Sequence, residues 1–215
     1  YNLALGAGAG VYWKSNDFSV STSYLSTNGN LSDPNNGGIG TDGAGFSATT
    51  QIAYAPENWG IAAAYTKASG NSEKLYIGNA NPQGAIASGI GGQTNSWGLS
   101  AWWTPEDSGW IPSVSTGVGS TYFDGSGTDG YSASWYVGLE WSDVFLEGNS
   151  FGMAVGQPTF VASVDGDAVE DGAGYAWEFF YKFQVTDNIS VTPAITYLSK
   201  PFPSQDSNGM NAMSG

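Results

Sequence analysis

The chain has no cysteine, no histidine and no arginine; lysine is its only basic residue, five copies in 215 positions. Without cysteine there is no disulfide framework, thiol nucleophile or zinc knuckle. With histidine missing as well, Ser-His-Asp and Cys-His catalysis are impossible within this sequence, and zinc hydrolysis lacks its ordinary ligands. Five lysines against 19 acidic residues leave a net charge of −14, which excludes a nucleic-acid groove built on clustered Lys and Arg. Charge of either sign is scarce. It makes up 11% of the chain, against roughly 25% in soluble domains, so a large surface is left without charged cover. Although 40% of the residues are hydrophobic, no apolar run approaches the roughly 18–20 residues of a membrane helix.

What is abundant is glycine (32 residues) and aromatic side chains (9 Trp, 12 Tyr, 10 Phe). They fall into a pattern of period two. In YSASWYVGLEW (131–141) the odd positions are Tyr131, Ala133, Trp135, Val137, Leu139 and Trp141, and the even ones include Ser132, Ser134, Gly138 and Glu140. Such alternation predicts a strand with unlike faces. It recurs over 1–13 and from 18, then at about 43–55, 60–68, 94–104, 112–123, 130–141, 149–162, 173–185 and 188–198. That is roughly ten segments, most near the ~9–11 residues of a tilted membrane-crossing strand.

The connections alternate in length. Short ones are expected at 14–16, 55–59, 105–111, 142–148 and 186–187, and longer or Gly/Asn/Ser-rich ones at 26–42, 69–93, 124–130 and 163–172. Residues 69–93, with Glu73 and Lys74, form the longest candidate for a loop folding into a pore. A Greek-key sandwich has no reason to keep this parity; an up-and-down barrel with tight turns at one rim does. Aromatics gather at both strand ends: Trp13, Trp59, Trp103 and Trp141 on the short-turn side, Trp97, Tyr131 and Tyr175 on the long-loop side. Two aromatic belts separated by Ala, Val, Leu and Ile are what two membrane interfaces select. The fold expected is therefore all-β, an antiparallel up-and-down transmembrane β-barrel. Trp135, Val137, Leu139, Ile189, Val191 and Ile195 should face lipid. The pore-lining candidates are Ser132, Ser134, Tyr136, Glu140, Glu178, Lys182, Gln184, Thr192 and Thr196.

Strand parity puts both ends of the sequence on the long-loop side. With unpaired edges untenable in a bilayer, this predicts a segment of a larger barrel: 1–198 barrel, incomplete at both ends, and 199–215 the start of an outer loop. The rival reading is a soluble sugar-binding β-sandwich using Trp and Tyr as stacking surfaces. Two weaker signals remain open. Glu140 and Glu178 share the polar face and could serve a glycosidase, or merely line a watery lumen. The acidic stretch DGDAVEDG, with Asp165, Asp167, Glu170 and Asp171, has carboxylates at calcium-loop spacing but lacks the full pattern; a solvated acidic outer loop is the plain alternative.

Two blocks, NSFGMAVGQPTF (149–160) and AWEFFYKFQVTDNISVTPAITYLSKP (176–201), resemble the C-terminal part of cyanobacterial porins of the OprB-like carbohydrate-selective family. The matching features are Glu178 in an aromatic strand, the turn Val185-Thr186-Asp187-Asn188, then Ile189, Pro193, Ile195, Tyr197 and Pro201. The resemblance implies a sixteen-stranded outer-membrane barrel, of which this chain supplies about ten strands, enclosing a passive diffusion pore. It also implies an N-terminal domain that holds the cell wall, absent from this sequence. The partners expected are the lipid bilayer, small hydrophilic solutes and inorganic ions, with a homotrimer as one assembly; neither a cofactor nor a metal is called for.

Overall fold

In the computed structural model the described residues are 6–75, 90–106, 109–125, 127–169, 174–199 and 209–214, with the side chains of 71–75, 90–91 and 209–214 excepted. Thirteen strands form: β1 (Gly6–Ser15), β2 (Phe18–Thr27), β3 (Phe46–Tyr54), β4 (Trp59–Leu75), β5 (Ile90–Trp103), β6 (Ser113–Gly125), β7 (Thr128–Ser142), β8 (Ser150–Val164), β9 (Asp167–Ala168), β10 (Ala176–Thr186), β11 (Ile189–Val191), β12 (Pro193–Leu198) and β13 (Gly209–Ser214). They make one sheet in which sheet order follows chain order from β1 to β8 and then β10, β12 and β13, with β9 against β8 and β11 against β10. Adjacent strands are antiparallel, as in an up-and-down meander.

The described residues form no second layer. Among the described residues the buried hydrophobic side chains are Ala44, Ala68, Phe123 and Val161, too few to hold together a soluble domain of this length. The sandwich reading fails here, because its odd face would have to pack on another sheet.

Cross-strand register sorts the side chains into two sets. One row runs Ser19, Ala53, Ala62, Ser100, Gly117, Tyr136, Gly156 and Ala176; the rows between it and its like carry Val20, Ile52, Ala63, Leu99, Val118, Trp135 and their neighbours. A single hollow of 750 Å³ is lined at once by Gln51 of β3 and Thr196 of β12. Strands so distant in the sheet order can border one space only on the inside of a curved sheet, so the small, polar set is concave. The convex set keeps its large apolar side chains half bare: Val11 is 68% exposed, Leu99 52%, Val118 47% and Ile195 49%. An apolar patch of this extent needs a hydrocarbon neighbour.

Ring pairs finish both edges of the convex face, each joining the two strands of a hairpin at the rim where that hairpin closes. Trp13–Phe18 (6.1 Å), Tyr54–Trp59 (5.5 Å) and Trp141–Phe151 (5.8 Å) sit by short turns; Tyr24–Phe46 (5.9 Å) and Tyr122–Tyr131 (5.8 Å) sit at the opposite rim. Offset and edge contacts at these spacings add stabilisation beyond the area they bury. Trp97 lies midway along β5, opposite Tyr65, and not at a strand end as the shorter expected strand implied.

Polar side chains on the convex face find partners within the sheet. Thr22 and Thr50 share a hydrogen bond (3.1 Å), Thr116 Oγ1 donates to the Tyr136 carbonyl (2.9 Å) and Ser120 Oγ to that of Ser132 (2.9 Å). Tyr65 donates to Asn95 Oδ1 (2.7 Å), and Trp135 Nε1 donates to Gln157 Oε1 (2.6 Å). Where water is absent, an unpaired group of this kind costs several kcal/mol.

The connections correct several expectations. The supposed long loop 124–130 is a tight turn, since Gly125 pairs with Thr128 and Gly127 takes a φ of 78°. β4 and β5 continue to a Leu75–Ile90 pair, so much of 69–93 is strand, and whether 76–89 folds inward lies outside the described residues. Residues 188–198 are two strands, broken at Thr192 before Pro193, which has no N–H to give to a ladder. Gly209–Ser214, read as part of an outer loop, pairs along Pro193–Leu198, so 188–198 does not keep the free side expected of it. β1 is not paired with β13 among the described residues. Leu198 is on the long-loop side as expected; Tyr1 lies outside the described residues.

Val137→Lys should cost about 2–4 kcal/mol near the bilayer midplane, and Ser134→Lys clearly less, in urea titrations of the full-length protein refolded into vesicles. Equal costs would mean that the faces are misassigned. In the same titration Trp135→Phe, which strands the Gln157 amide against lipid, should lose about 1–3 kcal/mol. Adding Gln157→Leu should restore most of that loss; a deficit it leaves untouched would show that the pair has no role.

Candidate functional site

The concave wall is built from side chains that take little space. Where β4 to β8 cross its middle, Ala62, Ala64, Gly98, Ser100, Gly117 and Gly119 are followed by Ser134, Tyr136, Ala154 and Gly156. Hydroxyl pairs knit it laterally: Thr49 and Thr66 at 2.8 Å, and Thr121 donating to Ser96 at 2.8 Å. A wall of small polar residues holds water at its surface and leaves a wide passage. Among the described residues, no group of three or more His, Cys, Asp or Glu side chains is placed for a metal.

The charges on this wall are few and balanced. Lys14 of β1 and Lys182 of β10 share its face with Glu140 of β7 and Glu178 of β10. Thr196 Oγ1 donates to Glu178 Oε2 at 3.4 Å, and both residues are on the hollow with Tyr136 and Ser134. Tyr136 is 44% exposed there. Ser134, Tyr136, Glu140, Glu178, Lys182 and Thr196 thus share one concave face. Thr192 stands half-buried at the break between β11 and β12.

Two expected wall residues do something else. Ser132 is fully buried opposite Val161, beside register shifts where β8 carries extra residues against β7, and its hydroxyl has no hydrogen-bond partner. Gln184 turns toward the short turn, where its Nε2 donates to the Thr186 carbonyl at 2.6 Å while its backbone N–H donates to Asn149 Oδ1 at 2.9 Å.

The acidic stretch is more ordered than a plain loop. Asp165 and Gly166 both have positive φ, 51° and 87°, and Val164 pairs with Asp167 across them, the geometry of a two-residue Asp-Gly hairpin turn. The Asp165 carboxylate accepts the Asp129 N–H at 3.0 Å, while the Asp165 N–H donates to the Asp129 carbonyl at 2.7 Å. One carboxylate of the acidic set is therefore engaged in fixing the β7–β8 rim; Glu170 and Asp171 lie outside the described residues. On the neighbouring loop, N–H groups of Asn35 and Asn36 hold the Asp33 carboxyl below its ordinary range, so that rim charge persists to lower pH.

The aromatic candidates fall on the convex face or its rims. Trp59 and Trp103 are opposite partners, Trp141 Nε1 donates to the Trp110 carbonyl (3.0 Å), and the Tyr175 ring meets Trp135 edge-on at 6.3 Å. Sequence reading missed the concave rings Trp102 and Phe180 and the concave amide Gln51. The signal was present in the doublets Trp102-Trp103 and Phe179-Phe180, since alternation must send one ring of each pair inward.

Comparison with known proteins gives the same architecture. The family described as "Carbohydrate-selective porin, OprB family" matches residues 2–212. An uncharacterized protein of Synechocystis is 31% identical, the match covering 96% of this chain and 41% of that protein; one of Nostoc is 27% identical over 100% of this chain and 37% of its own length. Among solved structures, the high-pH structure of Pseudomonas putida OprB superposes with a TM-score of 0.59 at 18% identity, covering 96% of this chain and 56% of that one. The chain therefore spans about two fifths of the length of these two relatives and a little over half of the solved structure. With its single antiparallel sheet, apolar convex face and small polar concave face, the chain belongs to the OprB family of carbohydrate-selective porins and is part of an outer-membrane β-barrel.

Proposed function

We propose that this chain forms part of the wall of a passive diffusion channel, carrying small hydrophilic solutes, sugars among them, and inorganic ions across the outer membrane. The observation that carries the reading is the division of one sheet into a lipid-compatible convex face and a small, hydroxyl-rich concave face around a 750 Å³ hollow. Such a wall does no chemistry; it selects by size and by the field of its charges. Closure into about sixteen strands leaves room for an aqueous lumen. Ser134, Tyr136, Glu140, Glu178, Lys182 and Thr196 line it in this reading.

Charge sets a mild preference. On the wall, Lys14 and Lys182 offset Glu140 and Glu178, whereas the long-loop rim carries Asp33, Asp124, Asp129, Asp165 and Asp167 against Lys74 near the end of β4. Low-dielectric walls focus such a field at the pore mouth and raise the local cation concentration, within a Debye length of about 8 Å at physiological ionic strength.

The full-length protein in a planar bilayer under a KCl gradient should therefore show a reversal potential of modest cation preference that fades as salt rises. A preference for chloride that persists at low salt would show that the acidic rim does not set selectivity. Absence of any conductance would overturn the pore reading itself.

A further inference from the structure

Lys67 stands on the face where a cation is least expected. Alternation along β4 puts it on the convex side with Tyr65 and Ala63. Among the described side chains it is the one cation there, since Lys14 and Lys182 are concave. It is exposed and makes no ion pair among the described residues. Register fixes its level. One cross-strand row runs Tyr24, Ala48, Lys67, Asn95, Tyr122 and Tyr131. The ammonium thus shares a row with tyrosines of the long-loop belt, where hydrocarbon gives way to headgroups. Beside it on β5, Asn95 Oδ1 accepts the Tyr65 hydroxyl at 2.7 Å, which leaves the Asn95 amide N–H groups to donate. Four positions back along β4, about 13 Å at 3.3 Å per residue, the same face sinks into a groove of 510 Å³. Its floor is short, Ala63 of β4 and Ala101 of β5, and its sides are Ile52, Ile61, Leu99 and Val118. The Thr116 hydroxyl within it already donates to the Tyr136 carbonyl at 2.9 Å, so it asks nothing of a hydrocarbon neighbour.

We propose that the convex face of β3 to β6 holds one anionic phospholipid of the outer leaflet, its phosphate on Lys67 and Asn95 and an acyl chain in the groove below. A lysine alone on a barrel exterior only extends its ammonium toward bulk headgroups. Here a second donor stands opposite it on the next strand, and a depression for hydrocarbon lies on the same strands beneath. The Lys67 ammonium and the Asn95 amide are both donors, and a phosphate is an acceptor that gains most from a charged one. Between head site and groove, Tyr65 and Trp97 face each other, 49% and 42% exposed, and border the path of the chain. Bilayer lipid already covers the convex face, so the site continues an established lipid-facing surface. Two convex acids, Asp124 and Asp129, stand one row further out on β6 and β7. At two or more strands from Lys67, about 10 Å at 4.8 Å per strand, they are beyond hydrogen-bonding reach of the same phosphate. An anionic headgroup is preferred because a zwitterionic one brings its own cation to compete with Lys67 for the phosphate.

The test is native mass spectrometry of the full-length protein in mild detergent, titrated with phosphatidylglycerol and, separately, with phosphatidylcholine of the same acyl chains. Phosphatidylglycerol should bind at the lower concentration. Lys67→Gln should raise its half-saturating concentration at least five-fold and bring it level with phosphatidylcholine. Lys67→Arg, which keeps the charge, should bind as the native protein does. Ala101→Leu fills the groove and leaves every charge in place, and it too should weaken phosphatidylglycerol binding. Equal binding of the two lipids by the native protein, or unchanged phosphatidylglycerol binding in Lys67→Gln, would show that Lys67 only reaches bulk headgroups and would overturn the site. Unchanged binding in Ala101→Leu would overturn the groove as the seat of the chain. Loss of a second copy of the chain instead of lipid in Lys67→Gln would assign the face to self-association, which also overturns the site. These residues face away from the lumen, so native ion conductance in each variant shows that it has folded.

Discussion

In hydrocarbon there is no water to accept a hydrogen bond, so every backbone N–H and C=O of a spanning segment must be satisfied by another strand. The rest of this structure depends on that constraint. It explains why the sheet is continuous from β1 to β13, why its connections go back and forth between adjacent strands, and why even Gly209–Ser214, with no strong strand pattern of its own, pairs along β12. It reaches the side chains too. Gln157 would be a costly residue on a lipid face, but the Trp135 indole N–H converts its exposed acceptor into a paired one at 2.6 Å, and Thr22 with Thr50 achieves the same with two hydroxyls.

The two faces then follow opposite rules. On the convex side, side chains are large because their solvent is apolar, and the ring pairs at each hairpin end mark where that solvent gives way to headgroups. Inside, the side chains are small because the solvent is water and space for solute is the useful quantity. Glycine serves this inner face by letting neighbouring rings lie down, as Tyr136 does over Gly117 and Phe180 over Gly152. A porin wall is thus specified as much by where side chains are missing as by which are present.

Period-two alternation made most of this legible in the sequence. Tyr131, Ala133, Trp135, Val137, Leu139 and Trp141 do share the convex face, and Ser134, Tyr136 and Glu140 the concave one. The failures have physical causes. Ser132 kept its parity but lost its exposure, because the strand opposite slips register twice beside it, and a bulge leaves no mark in the alternation of the other strand. Gln184 was assigned by parity alone, although a long amide near a turn can satisfy local backbone groups instead. The Gly-rich stretch 124–130 looked like a loop, yet its backbone could be paired to within two residues of the turn. Asp165 was legible as charge and not as the anchor of the β7–β8 rim, since its partner, the Asp129 N–H, is distant in sequence. The rings facing inward were overlooked because a doublet such as Trp102-Trp103 reads first as a membrane belt.

The assignment of lipid to one face and water to the other is most directly tested by spin labels at single introduced cysteines, which this segment permits because it has none of its own. Nitroxides at Val118, Val137 and Ile195 should be relaxed chiefly by oxygen dissolved in the bilayer. Those at Ser134 and Thr196 should be relaxed chiefly by a water-soluble nickel chelate. Equal accessibility at neighbours such as Ser134 and Val137, or a reversal between the two sets, would contradict a membrane wall with an aqueous inner face.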